Sequence, residues 1–143
     1  DPAAALMVAG DFNDFPSSPI LKETAGFALD ERQVLDDRSG RLLYNLTGTL
    51  PEDRRGTYYY APKQQWNTLD AVMVSRGMLS EAKPRAPWRV RHGSYEIFKT
   101  EEQCDKNGRP LPFRRVRNKT VGDIFLPGYS DHFPVRVTLY ARD

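Results

Sequence analysis

Leu6-Met7-Val8-Ala9-Gly10-Asp11-Phe12-Asn13 decides how this chain is read. Four apolar residues run into a glycine, and a carboxylate and a carboxamide follow within three positions. The run from Leu6 to Ala9 reads as a buried strand. Such a strand anchors its end in the core, so the residues just beyond it meet solvent on a rigid support. At i and i+2 of an extended segment, Asp11 and Asn13 share a face while Phe12 points into the core. The same two residues would also suit a turn whose side chains satisfy local backbone, since Asp and Asn favour such positions.

Comparable junctions recur downstream. Leu69-Asp70-Ala71-Val72-Met73-Val74-Ser75 opens an apolar strand with a carboxylate, and Gly128-Tyr129-Ser130-Asp131-His132 runs into Phe133-Pro134-Val135-Arg136-Val137. Asp131 and His132 are adjacent, so their side chains diverge and cannot share one role. Two carboxylates, an amide and an imidazole–carboxylate pair are parts suited to metal-assisted hydrolysis.

In this order, the three elements resemble the endonuclease/exonuclease/phosphatase superfamily of divalent-metal phosphodiesterases. The resemblance covers nearly the whole chain but only the C-terminal half or so of that fold. It implies an α/β fold, a four-layered sandwich of two mixed β-sheets flanked by helices, with residues 1–143 as the C-terminal part of one domain. It implies a phosphoric ester hydrolase, a nuclease or a phosphodiesterase/phosphatase, using Mg²⁺ or Mn²⁺ and in-line attack of an activated water on phosphorus.

By the same resemblance, Asp11 would orient and activate the water, and Asn13 would hydrogen-bond the water or a phosphate oxygen. Asp131 would contribute to the metal site. His132 would contact the scissile phosphate while bonding Asp70, which fixes its tautomer and leaves the other ring nitrogen to donate to an anion. Either His132 or Asp11 could take the water's proton. Trp66 would flank the phosphate-binding face, and Tyr129, like Tyr58, Tyr59 and Tyr60, could stack on a base, sugar or lipid headgroup. The family's asparagine and glutamate metal ligands come from an N-terminal half that precedes this stretch. One carboxylate holds a hard cation poorly, so a fragment beginning at Asp1 is expected to be inactive and to expose sheet edges that could self-associate.

Bulk composition sets limits on these readings. A chain of 143 residues, 39% hydrophobic and 28% charged, has the composition of one globular domain rather than of a disordered chain. No apolar run approaches bilayer-spanning length. Cys104 is the only cysteine, so an intramolecular disulfide is excluded, and its acidic neighbours make an inert loop thiol. Location is left open.

The net charge of +2 hides an asymmetry. Residues 83–119 hold eleven Lys/Arg against four acids, so this stretch reads as a basic insertion. It is either a footprint for a polyanion such as DNA or RNA, with Arg114, Arg115 and Arg117 as contacts, or a solvated loop. Small phosphoesters and phospholipid headgroups compete with nucleic acid as substrates. A non-catalytic polyanion-binding module that keeps the same fold is the alternative of a different class.

Coarse elements complete the reading. Ser18-Pro19 starts a short helix that Gly26 ends. Residues 30–55 read as polar and turn-rich. Thr57–Tyr60 and Leu69–Ser75 read as paired strands, with another strand near Tyr95–Phe98. Val135–Tyr140 alternates as a half-buried terminal strand.

Overall fold

The computed structural model describes residues 1 and 3–141. At its centre is β6 (Asp70–Ser75), whose four apolar residues are all buried. β1 (Met7–Asp11) and β3 (Leu43–Asn45) flank it, both antiparallel, and β2 (Phe27–Ala28) runs parallel to β3 at the far edge. Because strand side chains alternate, Val72 and Val74 face one cluster with Ala28, Val34, Tyr44 and Leu79. Ala71 and Met73 face a second with Leu21, Phe27 and Leu43. A strand buried on both faces needs a continuous apolar run, and Ala71–Val74 supplies it.

The other strands form two-stranded pairs: β4 (Tyr58–Tyr60) with β5 (Gln65–Asn67), β7 (Trp88–Val90) with β12 (Leu139–Ala141), β8 (Glu96–Ile97) with β11 (Val135–Arg136), and β9 (Arg114–Asn118) with β10 (Gly122–Leu126). With one short helix, α1 (Glu31–Asp36), and a π-helical turn at Ile20–Thr24, the fold is a strand-rich α/β type of mixed sheets. Among the described residues no helix is long and apolar enough to cross a membrane.

Several elements depart from expectation for identifiable reasons. The first strand spans Met7–Asp11, lies at the sheet edge and is only half-buried, with Leu6 49% exposed. An apolar run alone does not separate an edge strand from a central one. Thr57–Tyr60 does not pair with Leu69–Ser75. Its Tyr58–Tyr60 part closes onto Gln65–Asn67 through a tight turn with Gln64 in the left-handed region (φ 50°). The terminal strand breaks in two, because β11 and β12 pair with different partners.

The turn-rich stretch 30–55 contains α1 and β3. Asp30 caps the helix by accepting the Arg32 amide at 2.9 Å. Asp37 accepts the amides of Ser39, Arg41 and Leu42, and these bonds, the Leu42 amide foremost, hold its carboxyl down at about 2. The basic stretch is woven into the fold rather than inserted beside it, since β7 and β8 pair with the C-terminal strands.

Gly56, at φ +135°, sits where a Cβ would lie 2.8 Å from Trp66 Cβ and 2.9 Å from its Cε3. Neither the backbone conformation nor the contact admits a side chain cheaply. Gly56→Ala should lower the unfolding free energy by about 1–3 kcal/mol, read from the urea midpoint at unchanged slope.

Candidate active site

The site is assembled around Thr57, which is fully buried. Its backbone amide donates to Asn67 O at 2.9 Å, and its carbonyl accepts from the Phe133 amide at 2.8 Å. Its hydroxyl accepts from the amides of Leu69 at 3.1 Å and Asp70 at 3.4 Å. One residue thus links the start of β4, the entry to β6 and the segment carrying His132. Tyr95, on the core side, donates its hydroxyl to Asp70 O at 3.1 Å, and burial pushes its phenol pKa up, with the Asp70 carboxylate adding to this.

Asp11 and Asp70 are register partners at the shared end of β1 and β6, so their side chains stand on the same face. His132 Nδ1 lies 2.7 Å from Asp70 Oδ2, both side chains less than a fifth exposed. Tyr58 covers the imidazole, with ring centroids 4.9 Å apart and 33° between planes. Ligand atoms of Asp11, Asp70 and His132 all lie within 4.8 Å of one another. A carboxylate accepting Nδ1–H leaves Nε2 as the imidazole's outward-working nitrogen.

Asn13 reaches the site by another route than the pleat. It adopts φ 52°, and its amide donates to Asp11 Oδ1 at 2.8 Å. The segment is a local turn, not an extended strand, and the turn is what brings Asn13 to the cleft. Phe12 does face the core, edge-on to Phe27 at 5.6 Å.

A cleft of about 450 Å³ opens here, lined by Asp11, Asn13, Asp14, Phe15, Tyr58, Tyr60, Asn67, Leu69, Asp131 and His132. Its wall carries the carboxylates of Asp11, Asp14 and Asp131 and, among the described residues, no Lys or Arg. Asp131 is exposed in that wall and lies outside the close trio of ligand atoms. Tyr129, 69% exposed, borders a neighbouring hollow of about 280 Å³ with Asp70, Gln103, Ser130 and His132.

Trp66 is placed elsewhere. It sits opposite Tyr59 in the β4–β5 register, on the reverse face from Tyr58 and Asn67, and stacks on Phe133 at 6.0 Å. Alternation along a strand forces this, because its neighbour Asn67 takes the cleft side.

The basic stretch forms no single track. Arg89 is buried over the Tyr140 ring, Arg109 lies 4.0 Å from the Tyr59 ring centroid, and Lys99 rests on Trp66 and Phe133. Arg114, Arg115 and Arg117 lie exposed on β9, away from the cleft lining, and Arg115 pairs with Asp123. Thr57, Asp14, Phe15 and Asn67 were not legible as site residues. Thr57 acts by hydroxyl-to-amide bonds that leave no side-chain pattern, and Asp14, Phe15 and Asn67 depend on the turn after β1 and on hairpin register.

The Endonuclease/Exonuclease/phosphatase family matches residues 1–141. The chain belongs to that family. No curated protein and no solved structure matches it.

Removing the Thr57 hydroxyl strands the buried Leu69 amide. Thr57→Val should destabilise the fold by about 1–3 kcal/mol in chemical denaturation, and Thr57→Ser should recover most of that loss.

Proposed function

We propose that this member of the endonuclease/exonuclease/phosphatase family hydrolyses phosphoric esters by in-line attack of water on phosphorus, with Mg²⁺ or Mn²⁺ as cofactor. The observation that carries the reading is the meeting of Asp11, Asp70 and His132 at the shared end of β1 and β6, with His132 Nδ1 2.7 Å from Asp70. The donor set of the cleft fits a hard cation. It offers carboxylate and carboxamide oxygens, and an anionic phosphate entering it meets no Lys or Arg among the described residues. Asp131, which lines the same cleft as Asp11, would hold the ion, and the bound ion would supply positive charge against the phosphate oxygens.

The chain's own residues divide the remaining work. Asp11 spends Oδ1 on the Asn13 amide, so its second carboxylate oxygen is the one that orients the attacking water. The Asn13 carboxamide, on the same turn, binds the water or a phosphate oxygen. Asp70 holds His132 in one tautomer, and Nε2 donates to a phosphate oxygen. The new P–O bond forms opposite the breaking one. The water's proton passes to Asp11 when Nε2 is the protonated donor, or to Nε2 of His132 when that nitrogen is unprotonated, and the leaving oxygen departs with the electron pair of the broken bond. Asp131, Asp11 and their neighbours supply fewer oxygen ligands than Mg²⁺ takes, so this stretch of 143 residues alone is assigned little activity and any longer form of the protein the full activity. In such a form the sheets described here would be part of a four-layered sandwich.

A soluble diester, bis-p-nitrophenyl phosphate, tests this. The full-length protein should turn it over with Mg²⁺ or Mn²⁺ and lose activity in chelator, and the 143-residue chain should be silent. Asp11→Asn and His132→Ala should each cost roughly 10²–10⁴ in kcat or more. Near-wild-type turnover in either variant would remove that residue from the mechanism. Turnover by neither form, over a panel including DNA and RNA, would leave the polyanion-binding module as the reading of the fold.

A further inference from the structure

The β9–β10 ribbon is unlike the rest of the molecule. Among the described residues it pairs with no third strand, and it is exposed on both faces. Its register puts Val116 opposite Ile124 and Arg114 opposite Leu126 on one face, and Arg115 opposite Phe125 and Arg117 opposite Asp123 on the other. Phe113 and Phe125 stack at 5.6 Å, yet they remain 58% and 59% exposed, and Val121 at the turn is 71% exposed. A two-stranded ribbon is marginal on its own in water, and apolar side chains displayed on both faces normally mark a contact surface.

Charge narrows the occupant. Arg114, Arg115, Arg117 and Lys119 stand against the single acid Asp123 and are interleaved with the apolar residues. A protein partner covering the ribbon would desolvate these cations. A nucleic acid would reward the cations and the two phenylalanines, but would leave Val116, Ile124 and Leu126 in water. A bilayer interface accepts both, because aliphatic side chains enter the acyl boundary while arginine stems lie along it with their heads at anionic lipid.

The base of the ribbon is fixed to the site. The Tyr129 amide donates to Leu111 O at 2.8 Å, and Gly128 passes so close that a Cβ would lie 2.3 Å from Pro112 O. The segment that leaves β10 at Leu126 is the one that carries Asp131 and His132.

We propose that the β9–β10 ribbon docks the protein on an anionic lipid surface, and that the adjacent site takes the phosphodiester of a membrane lipid. The substrate half of this rests on the hydrolytic function proposed above; the docking half does not.

Co-sedimentation of the 143-residue chain with vesicles of phosphatidylcholine, alone or mixed with phosphatidylserine, tests the docking. Binding is expected to the mixed vesicles and to be weak on phosphatidylcholine alone. R114Q/R117Q, two changes at exposed positions, should weaken binding about thirtyfold, from about 1 kcal/mol per cation at the surface. I124S/F125S should weaken it at least about tenfold, with melting curves of both variants superimposed on the parent's.

Sedimentation with neither vesicle, or equal binding by parent and variants, would overturn the proposal. So would binding of single- or double-stranded DNA that R114Q/R117Q abolishes while vesicles are ignored. Turnover of the soluble diester without vesicle binding would sink docking and leave the hydrolytic function standing. For the substrate half, the full-length protein should hydrolyse phosphodiester lipid in mixed vesicles faster than DNA, and the opposite order would overturn it.

Discussion

The bond between Asp70 and His132 spans 62 residues of sequence and decides the rest of the site. It holds only if the entry to β6, the start of β4 and the segment after β10 are fixed relative to one another. Thr57, at the start of β4, does this with buried backbone and hydroxyl bonds to Asn67 in β5, to the entry to β6 and to Phe133. Such bonds matter less for their net contribution than for the cost of leaving any one of them unmade in the interior. Precision at the imidazole therefore comes from backbone satisfaction, with Tyr58 covering the ring.

The sequence carried the placement of the candidate residues better than the pairing of the strands. Asp11, Asn13, Asp70, Asp131 and His132 stand at strand ends, and an apolar run meeting a polar group is visible locally. All of them border the cleft or, for Asp70, the hollow beside it. Pairing was less visible. Nothing in Thr57-Tyr58-Tyr59-Tyr60 favours Gln65–Asn67 over Leu69–Ser75 as partner; the turn at Gln64 decides it. That register also sends Trp66 to the far face, where its spacing from Asp70 gives no warning. α1 and β3 were hidden because two turns of helix and three residues of strand are too short to display a period.

Charge composition misdirected in a specific way. Eleven cations in 83–119 look like one surface, but composition cannot tell a solvated head from one lying on an aromatic ring. Arg89, Arg109 and Lys99 cover Tyr140, Tyr59, Trp66 and Phe133, so these cations serve packing. Of the eight that remain, all exposed, Arg114, Arg115, Arg117 and Lys119 lie on or at the turn of the ribbon, where they are mixed with apolar side chains. The apolar half of that pattern, not the basic half, distinguishes a lipid surface from a nucleic acid.

Asp11 opposite Asp70 is a poor choice for a sheet as such. Like charges directly opposite on one face destabilise a strand pair, where a hydroxyl or β-branched pair would contribute about 0.2–1 kcal/mol. The structure relieves the conflict by giving each carboxylate its own partner. Asp11 Oδ1 turns to the Asn13 amide, and Asp70 Oδ2 turns to His132. Both partners leave a second oxygen on each carboxylate for other work, which packing alone does not require. Three further features point the same way: an edge strand left half-exposed, a residue in the left-handed region two positions after it, and a cleft wall with carboxylates and, among the described residues, no Lys or Arg. Local rules broken together at one place, while β6 beneath them obeys every rule, mark that place as kept for chemistry.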